Sequence, residues 1–239
     1  MNTNLDLFET LPRQCAPQSG PDFDENIFDS YGKKERIANA DNIMHYFESR
    51  LRAAGYRSIA GVDEAGRGPI AGPVVAAIAI LPPDYHVKGL YDSKAITEKT
   101  REEIFALLTS DKSVGWAVGI VDNHEIDRIN ILQATYKAVY QAYSSLEKRP
   151  DFILNDAMII PRIEISQKKV IKGDAKSASI AAASIIAKVT RDAIMRDYDQ
   201  KYPQYGFLNH KGYGTAAHIE SIRRHGYCEI HRRSFKIDI

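Results

Sequence analysis

The 239 residues are 44% apolar and 26% charged with a net charge of +1, enough chain for one large globular domain or two small ones. The longest uncharged small or apolar stretch, Ser177 to Ala187, is too short to cross a bilayer, and Cys15 and Cys228 form neither a disulfide framework nor a C-x-x-C pair. Charge is uneven: residues 1–30 carry one base, Arg13, against six acids, and residues 201–239 carry seven bases against three acids, which suits phosphate contacts or simply a solvated surface.

The opening "MNTNLDLFET" lacks the basic start and apolar run of a secretory signal, so a cytoplasmic protein is expected. Residues 1 to about 35 are polar and acidic, with Pro12, Pro17 and Pro21 and no sustained period, which predicts a flexible extension that buries little. Ile43, Tyr46, Phe47 and Leu51 recur at helical spacing and predict a helix over 39–54. Ser58–Glu64 and Val74–Leu81 read as strands paired in a hairpin. A helix follows over Glu98–Leu108, with Ile104, Leu107 and Leu108 on one face, and then a strand over Val114–Val121. The pattern of Ile126, Ile129, Leu132, Tyr136, Val139 and Tyr143 predicts one long helix from Asn123 to Glu147. Short strands over Phe152–Asn155 and Lys169–Lys172 precede an Ala/Ile-rich helix, Ser177–Tyr198, and a last helix, Thr215–His225, stopped by Gly226. Strands separated by helices predict an α/β fold, a mixed sheet covered by helices.

Function in such sheets gathers at strand ends. Asp63 closes the first strand with Glu64 beside it, Asp156 closes "FILND", and Asp174 follows "VIKG" just before a helix. One acid at a strand end is usually a turn former or helix cap. Three such ends plus Glu64 suggest a convergent cluster, whose mutual repulsion divalent cations would relieve. Oxygen ligands without His or Cys select Mg²⁺ or Mn²⁺, the metals of two-ion phosphoryl chemistry. Neighbours on a strand face opposite ways, so Asp63 and Glu64 reach one site only where the strand is ending, and Gly66 suits that.

The turn "GVDEAGRGPIAGPVV" has neither dinucleotide-loop nor P-loop spacing. Its glycines permit close backbone approach to a ligand with Arg67 as phosphate partner, although an isolated Gly-Arg-Gly reads first as a tight hairpin with a solvated arginine.

"VDEAGRGPIAGPVVAAIAIL", with "YDSKAITEKTREEI", "HEIDRINILQATYKA", "VIKGDAKSASIAAASIIAKVTRDAIM", "YPQYGFLNHKGYGTAAH" and "HRRSF" in order across residues 56–235, resembles the type 2 ribonucleases H, specifically bacterial ribonuclease HII. The resemblance implies a ribonuclease H-like mixed sheet flanked by helices with a C-terminal helical segment. It makes residues 51–239 the catalytic domain and residues 1–50 an extension. It implies an acid quartet of Asp63, Glu64, Asp156 and Asp174 that holds Mn²⁺ or Mg²⁺. Gly66, Arg67 and Gly68 would grip the ribonucleotide at an RNA–DNA junction, Tyr213 the sugar of the next deoxynucleotide, and Lys94 a phosphate near the metals. Asp192, in mid-helix after Lys188, is expected to be structural. The activity implied is hydrolysis of RNA in RNA–DNA hybrids and incision at single ribonucleotides in duplex DNA, leaving 5′-phosphate and 3′-hydroxyl ends, by a monomer with no membrane partner. Two departures stand out: Asn155-Asp156-Ala157 replaces an Ile-Asp-Gly context, and "MIIPRIEISQKK" matches poorly. A non-catalytic hybrid-binding protein and a related-fold DNA nuclease such as a junction resolvase are the rival readings.

Overall fold

The computed structural model describes residues 20–24, 28, 40–83, 85–87, 89–90 and 96–237. A five-stranded sheet runs in the order β3-β2-β1-β4-β5, where β1 is Ile59–Ala65, β2 Val74–Ile80, β3 Gly115–Val121, β4 Phe152–Asp156 and β5 Ser166–Val170. The β1–β2 and β2–β3 pairs are antiparallel, and β4 lies parallel to both β1 and β5. The helices are α1 (Ala40–Met44), α2 (Tyr46–Ala53), α3 (Glu98–Ser110), α4 (Asn123–Ile129), α5 (Ile131–Ser145), α6 (Ala178–Lys201), α7 (Phe207–His210) and α8 (Ala216–His225).

Strand β2 is apolar on both faces because both are covered. Val75, Ala77 and Ala79 pack with Ala181, Ile185 and Ile186 of α6, and with Ile104 and Leu108 of α3. Val74, Ala76 and Ile78 pack with Ala134, Ala138, Val139 and Ala142 of α5. Helix α6 lies unusually close to the sheet, because a Cβ on Gly61 would sit 2.0 Å from the carbonyl carbon of Ser179. A third cluster, around Ile70, Met195, Phe207, Ile222 and Ile230, seats the C-terminal helices against the turn that follows β1.

Three expectations change. The single helix over 123–147 breaks at Asn130, whose backbone turns left-handed (φ 69°) and whose side chain accepts from the Leu132 and Gln133 amides to cap α5. The break rotates the second half, leaving Leu132 40% exposed while Ala134, Thr135 and Ala138 face inward. Leu107 leaves the α3 face too, at 56% exposure. The strand expected over Lys169–Lys172 begins earlier, at Ser166, and ends as Lys172 turns left-handed (φ 56°).

The extension also buries more than its composition implies. Phe28 is buried and stacks on Phe47 at 5.5 Å, Phe23 packs on the same ring at 5.1 Å, and Lys168 and Lys176 lie over Phe23 and Phe28. Two aromatics supply this contact without a run of apolar neighbours, so no period betrays it. On α2, buried Glu48 accepts from the Ser177 hydroxyl at 2.6 Å and the Ser179 amide at 3.0 Å, placing a carboxylate at the N-terminus of α6.

Candidate active site

Strand β1 stays paired with β2 through Ala65↔Val75, but its pairing with β4 stops at Val62↔Asn155. Beyond that point β1 has an open edge, and Asp63 and Glu64 both line one cleft of about 480 Å³ although they alternate along the strand. The strand ends at Ala65, just past the acids, and its neighbour β4 has already left it. Asp156, the last residue of β4, lines the same cleft, with Arg67, Gly68, Arg101, Lys188 and Tyr213 around it.

Asp63 is buried and accepts from the Glu64 amide at 2.7 Å. Burial holds its carboxyl well above the usual range and the Glu64 charge adds to this; a hydrogen bond from Ser184 on α6 opposes them, and Asp156 pushes up again. Glu64 is raised for the same first reason, offset by the Arg67 guanidinium 3.2 Å away. Asp156 accepts from the Gly173 amide at 2.7 Å, which ties β4 to the 3-10 turn Gly173–Ala175. Asp174 sits in that turn, buried, beside the Gly173 amide that holds Asp156.

Two buried arginines build the glycine turn. Arg232 donates to the carbonyls of Gly66, Arg67, Gly72 and Pro73, and Arg191 to those of Ala71, Pro73 and Lys211. Burial pulls Arg191 down to about 10 and Arg232 to about 9, so both remain cations at neutral pH. Gly66 is left-handed (φ 100°), and a Cβ there would meet Arg191 Nε at 2.3 Å. Gly68 is different: its Cβ would touch only Tyr213 Cε1, at 3.4 Å. Tyr213 is 50% exposed and lines the same cleft as the acids.

The structure thus brings together Asp63, Glu64, Asp156, Gly66, Arg67, Gly68 and Tyr213, buries Asp174 in the turn that binds Asp156, and does not describe Lys94. Asp192 pairs with Lys188 at 2.7 Å along α6. The reading of the sequence missed Arg191, Arg232 and Ser184. A charged residue within an Ala/Ile-rich helix was a signal for Arg191, whereas Arg232 looks like any basic surface residue in "HRRSF".

The third acid's departure has a backbone consequence. Ala157 adopts φ 53°, the left-handed conformation that glycine takes without strain, while its amide bonds to Val170. The poorly matching loop is closed by buried Gln167, which accepts from the Asn155 side chain and the Ile160 amide and donates to the Ile160 and Ile163 carbonyls. The left-handed penalty for alanine, roughly 1–2 kcal/mol, exceeds the extra unfolded-state freedom of glycine, about 0.4–1 kcal/mol. Ala157→Gly should therefore raise the melting temperature by about 1–4 °C, and a fall in thermal denaturation would refute the account.

A hard cation fits this site by donor chemistry: three carboxylates, no nitrogen or sulfur ligand, and burial, with mutual repulsion added, that raises two of the acids. Among the described residues no three His, Cys, Asp or Glu side chains close into a finished cage.

Comparison with known proteins bears on the same residues. The family model described as ribonuclease HII matches residues 60–237. Ribonuclease HII of Acetivibrio thermocellus is 50% identical over 236 residues, covering 97% of this chain and 92% of that one. The solved ribonuclease H2 of Pyrococcus horikoshii OT3 is similar in structure, with a TM-score of 0.63 and 33% identity over 75% of this chain and 94% of that chain. Bst-RNase HIII, solved in complex with Mn²⁺, shares the fold at a TM-score of 0.53 and 22% identity, over 74% and 66% of the two chains.

Proposed function

The chain belongs to the ribonuclease HII family and is an endoribonuclease, and from that premise we propose that its cleft cuts RNA in RNA–DNA hybrids and incises duplex DNA at single ribonucleotides. The observation that carries this reading is the convergence of Asp63, Glu64 and Asp156 on a cleft that the glycine turn and Tyr213 also line.

Asp63, Glu64 and Asp156 would hold divalent cations, Mn²⁺ or Mg²⁺, which when bound supply activation of water and stabilisation of the leaving oxygen. Asp174, beside the Gly173 amide that holds Asp156, completes the acid quartet and helps to position a second cation or the water. Gly66 to Gly68 approach the ribose closely, and Arg67 exchanges its exposed pairing with Glu64 for a substrate phosphate. Tyr213 packs on the sugar of the deoxynucleotide that follows. Lys94 as a phosphate contact rests on the family resemblance. None of these residues acts as a nucleophile. Water attacks in line, leaving 5′-phosphate and 3′-hydroxyl ends.

Residues 51–239 form the catalytic unit on this reading, and the protein works as a cytoplasmic monomer. No helix among the described residues is long and apolar enough to cross a membrane.

The test is cleavage of a labelled DNA duplex with one ribonucleotide, with Mn²⁺, with Mg²⁺ and with neither. Metal-dependent incision on the 5′ side of the ribonucleotide is expected. Equal cleavage of an all-DNA duplex would put the resolvase reading first, and tight binding without cleavage would favour a hybrid-binding protein.

A further inference from the structure

Behind Tyr213, outside the cleft, the C-terminal helices bury a row of histidines to which the reaction assigns no role. His218 on α8 and His231 are buried, with Nε2 atoms 3.0 Å apart, and His210 stacks on His218 at 4.3 Å with an interplanar angle of 15°. Phe207 packs against all three rings. Buried imidazoles are costly unless each nitrogen is matched, so their partners identify the protons.

The matching runs in one direction. His231 Nδ1 lies 2.9 Å from the Cys228 amide, 3.1 Å from its thiol and 3.3 Å from its carbonyl; the amide is the shortest contact and only donates, so Nδ1 carries a lone pair and the ring's proton sits on Nε2. At the other end His218 Nδ1 lies 2.8 Å from the Tyr213 carbonyl, which only accepts, so that nitrogen carries the proton and His218 Nε2 is the bare one. The two requirements meet at the Nε2–Nε2 contact with one N–H and one lone pair. Protonating His218 would set two N–H groups against each other there, and protonating His231 would set its Nδ1–H against the Cys228 amide. Both rings are correspondingly pulled down to about 4, chiefly by burial.

The chain of bonds ends on the backbone of Tyr213. That carbonyl also accepts from the Thr215 amide at 2.8 Å, and the Tyr213 amide donates to the His210 carbonyl at 2.9 Å. His210 holds the preceding residue, because the Gly212 amide donates to its Nδ1 at 3.2 Å. Gly212 in turn accepts from the Ile70 amide of the glycine turn at 2.9 Å. The peptide groups on both sides of Tyr213 are therefore pinned, while its ring is left half-exposed in the cleft.

We propose that His218, held in a single tautomer by His231, is a positioning residue that aims Tyr213 at the sugar beyond the cut. The role rests on reading Tyr213 as the sugar contact. A preorganised ring loses less freedom when substrate arrives, so the benefit lies in substrate binding. A purely apolar filling would pack as well but would leave the Tyr213 carbonyl with one partner fewer.

The experiment measures kcat and KM on a single-ribonucleotide duplex at fixed salt, together with Tm, for Tyr213→Ala, His218→Leu, His218→Asn and the double variant Tyr213→Ala/His218→Leu. His218→Leu keeps the volume and removes the donor; it should lower kcat/KM about tenfold, the value of one lost hydrogen bond, mainly through KM. His218→Asn returns an N–H near the Nδ1 position and should recover most of that loss. In the double variant the His218 change should add nothing to Tyr213→Ala, because it acts only through that ring. If the two losses multiply, or if His218→Leu falls in Tm yet keeps the wild-type KM, the residue is merely structural and the proposal fails. If Tyr213→Ala itself leaves KM unchanged, the sugar contact is wrong and the positioning role falls with it. Heteronuclear NMR of the ring nitrogens in the wild-type protein tests the relay without substitution: His218 protonated on Nδ1 and His231 on Nε2 are expected, and either opposite tautomer would overturn it.

Discussion

Without added divalent cation at neutral pH, Asp63→Asn should melt above the wild type while cutting nothing. Asp63 sits where burial, Glu64 and Asp156 all disfavour its charge, and only the Ser184 hydroxyl and the Glu64 amide favour it. Its folded pKa lies above its unfolded one, so between those two values the native state holds the extra proton and stability falls as pH rises. The cost grows as pH rises above the unfolded pKa, levels off above the folded one, and vanishes in acid, where both states are protonated. Asparagine has the same shape, still accepts from Ser184 and the Glu64 amide, and removes the charge. Relief of about 1 kcal/mol corresponds to roughly 2–4 °C in Tm for a chain of this size, and the gap from wild type should close as pH is lowered. Loss of a metal-holding carboxylate should cost several kcal/mol of transition-state stabilisation, at least about a thousandfold in rate. Added Mn²⁺ or Mg²⁺ should raise the wild-type Tm and move the variant much less, because a ligand stabilises only the state that binds it. Cleavage within about tenfold of wild type, or a lower Tm for the metal-free variant, would remove Asp63 from the role assigned to it.

Gly68→Ala should fold as well as the wild type and yet lose most of its preference for a ribonucleotide. A Cβ at Gly68 meets nothing but the edge of the Tyr213 ring at 3.4 Å, and the position does not need a left-handed backbone. The methyl group projects instead between the turn and the tyrosine, where the ribose is expected. A site that hydrogen-bonds a hydroxyl rejects the analogue lacking it by roughly 10⁴-fold, whereas a steric pocket manages about a hundredfold. The wild type should therefore leave 2′-deoxy and 2′-fluoro substrates uncut, and Gly68→Ala should bring the discrimination down towards the lower figure. Arg67→Ala should weaken binding to both substrates alike and flatten the salt dependence. Gly66→Ala is the contrasting case, since its Cβ would meet Arg191 at 2.3 Å and its φ is 100°, so stability should fall as well as activity. Each substrate must be compared at one salt concentration. A Gly68→Ala protein with wild-type selectivity would separate the glycine turn from hydroxyl recognition.

Much of this site was legible because its signals are local. An acid after an apolar strand, as in "FILND", and a glycine turn beside two carboxylates can be read without knowing what lies opposite. Ala157 was legible only as a departure; that it adopts a left-handed backbone emerged from the way β4 leaves the sheet. The long helix misread over 123–147 failed for a physical reason: its apolar period runs through Asn130 unbroken, and the capping ability of one asparagine outweighs the pattern. Phe23 and Phe28 failed differently, since two aromatics scattered through an acidic segment have no period to find, yet each finds Phe47.

The sequence by itself determined the order of strands and helices, the oxygen-only character of the acids and, through its resemblance, the family. Those properties follow from side-chain type and spacing along the chain. Only the tertiary structure decided that Asp63 and Glu64 share a cleft, because that depends on where the pairing of β4 with β1 stops. It also decided that Asp174 is buried beside the amide that holds Asp156, that Arg191 and Arg232 are buried under the turn, and that three histidines meet near the Tyr213 backbone. Those relations join residues up to 166 positions apart, and a chain read residue by residue carries no measure of which distant groups a fold will bring within one hydrogen bond.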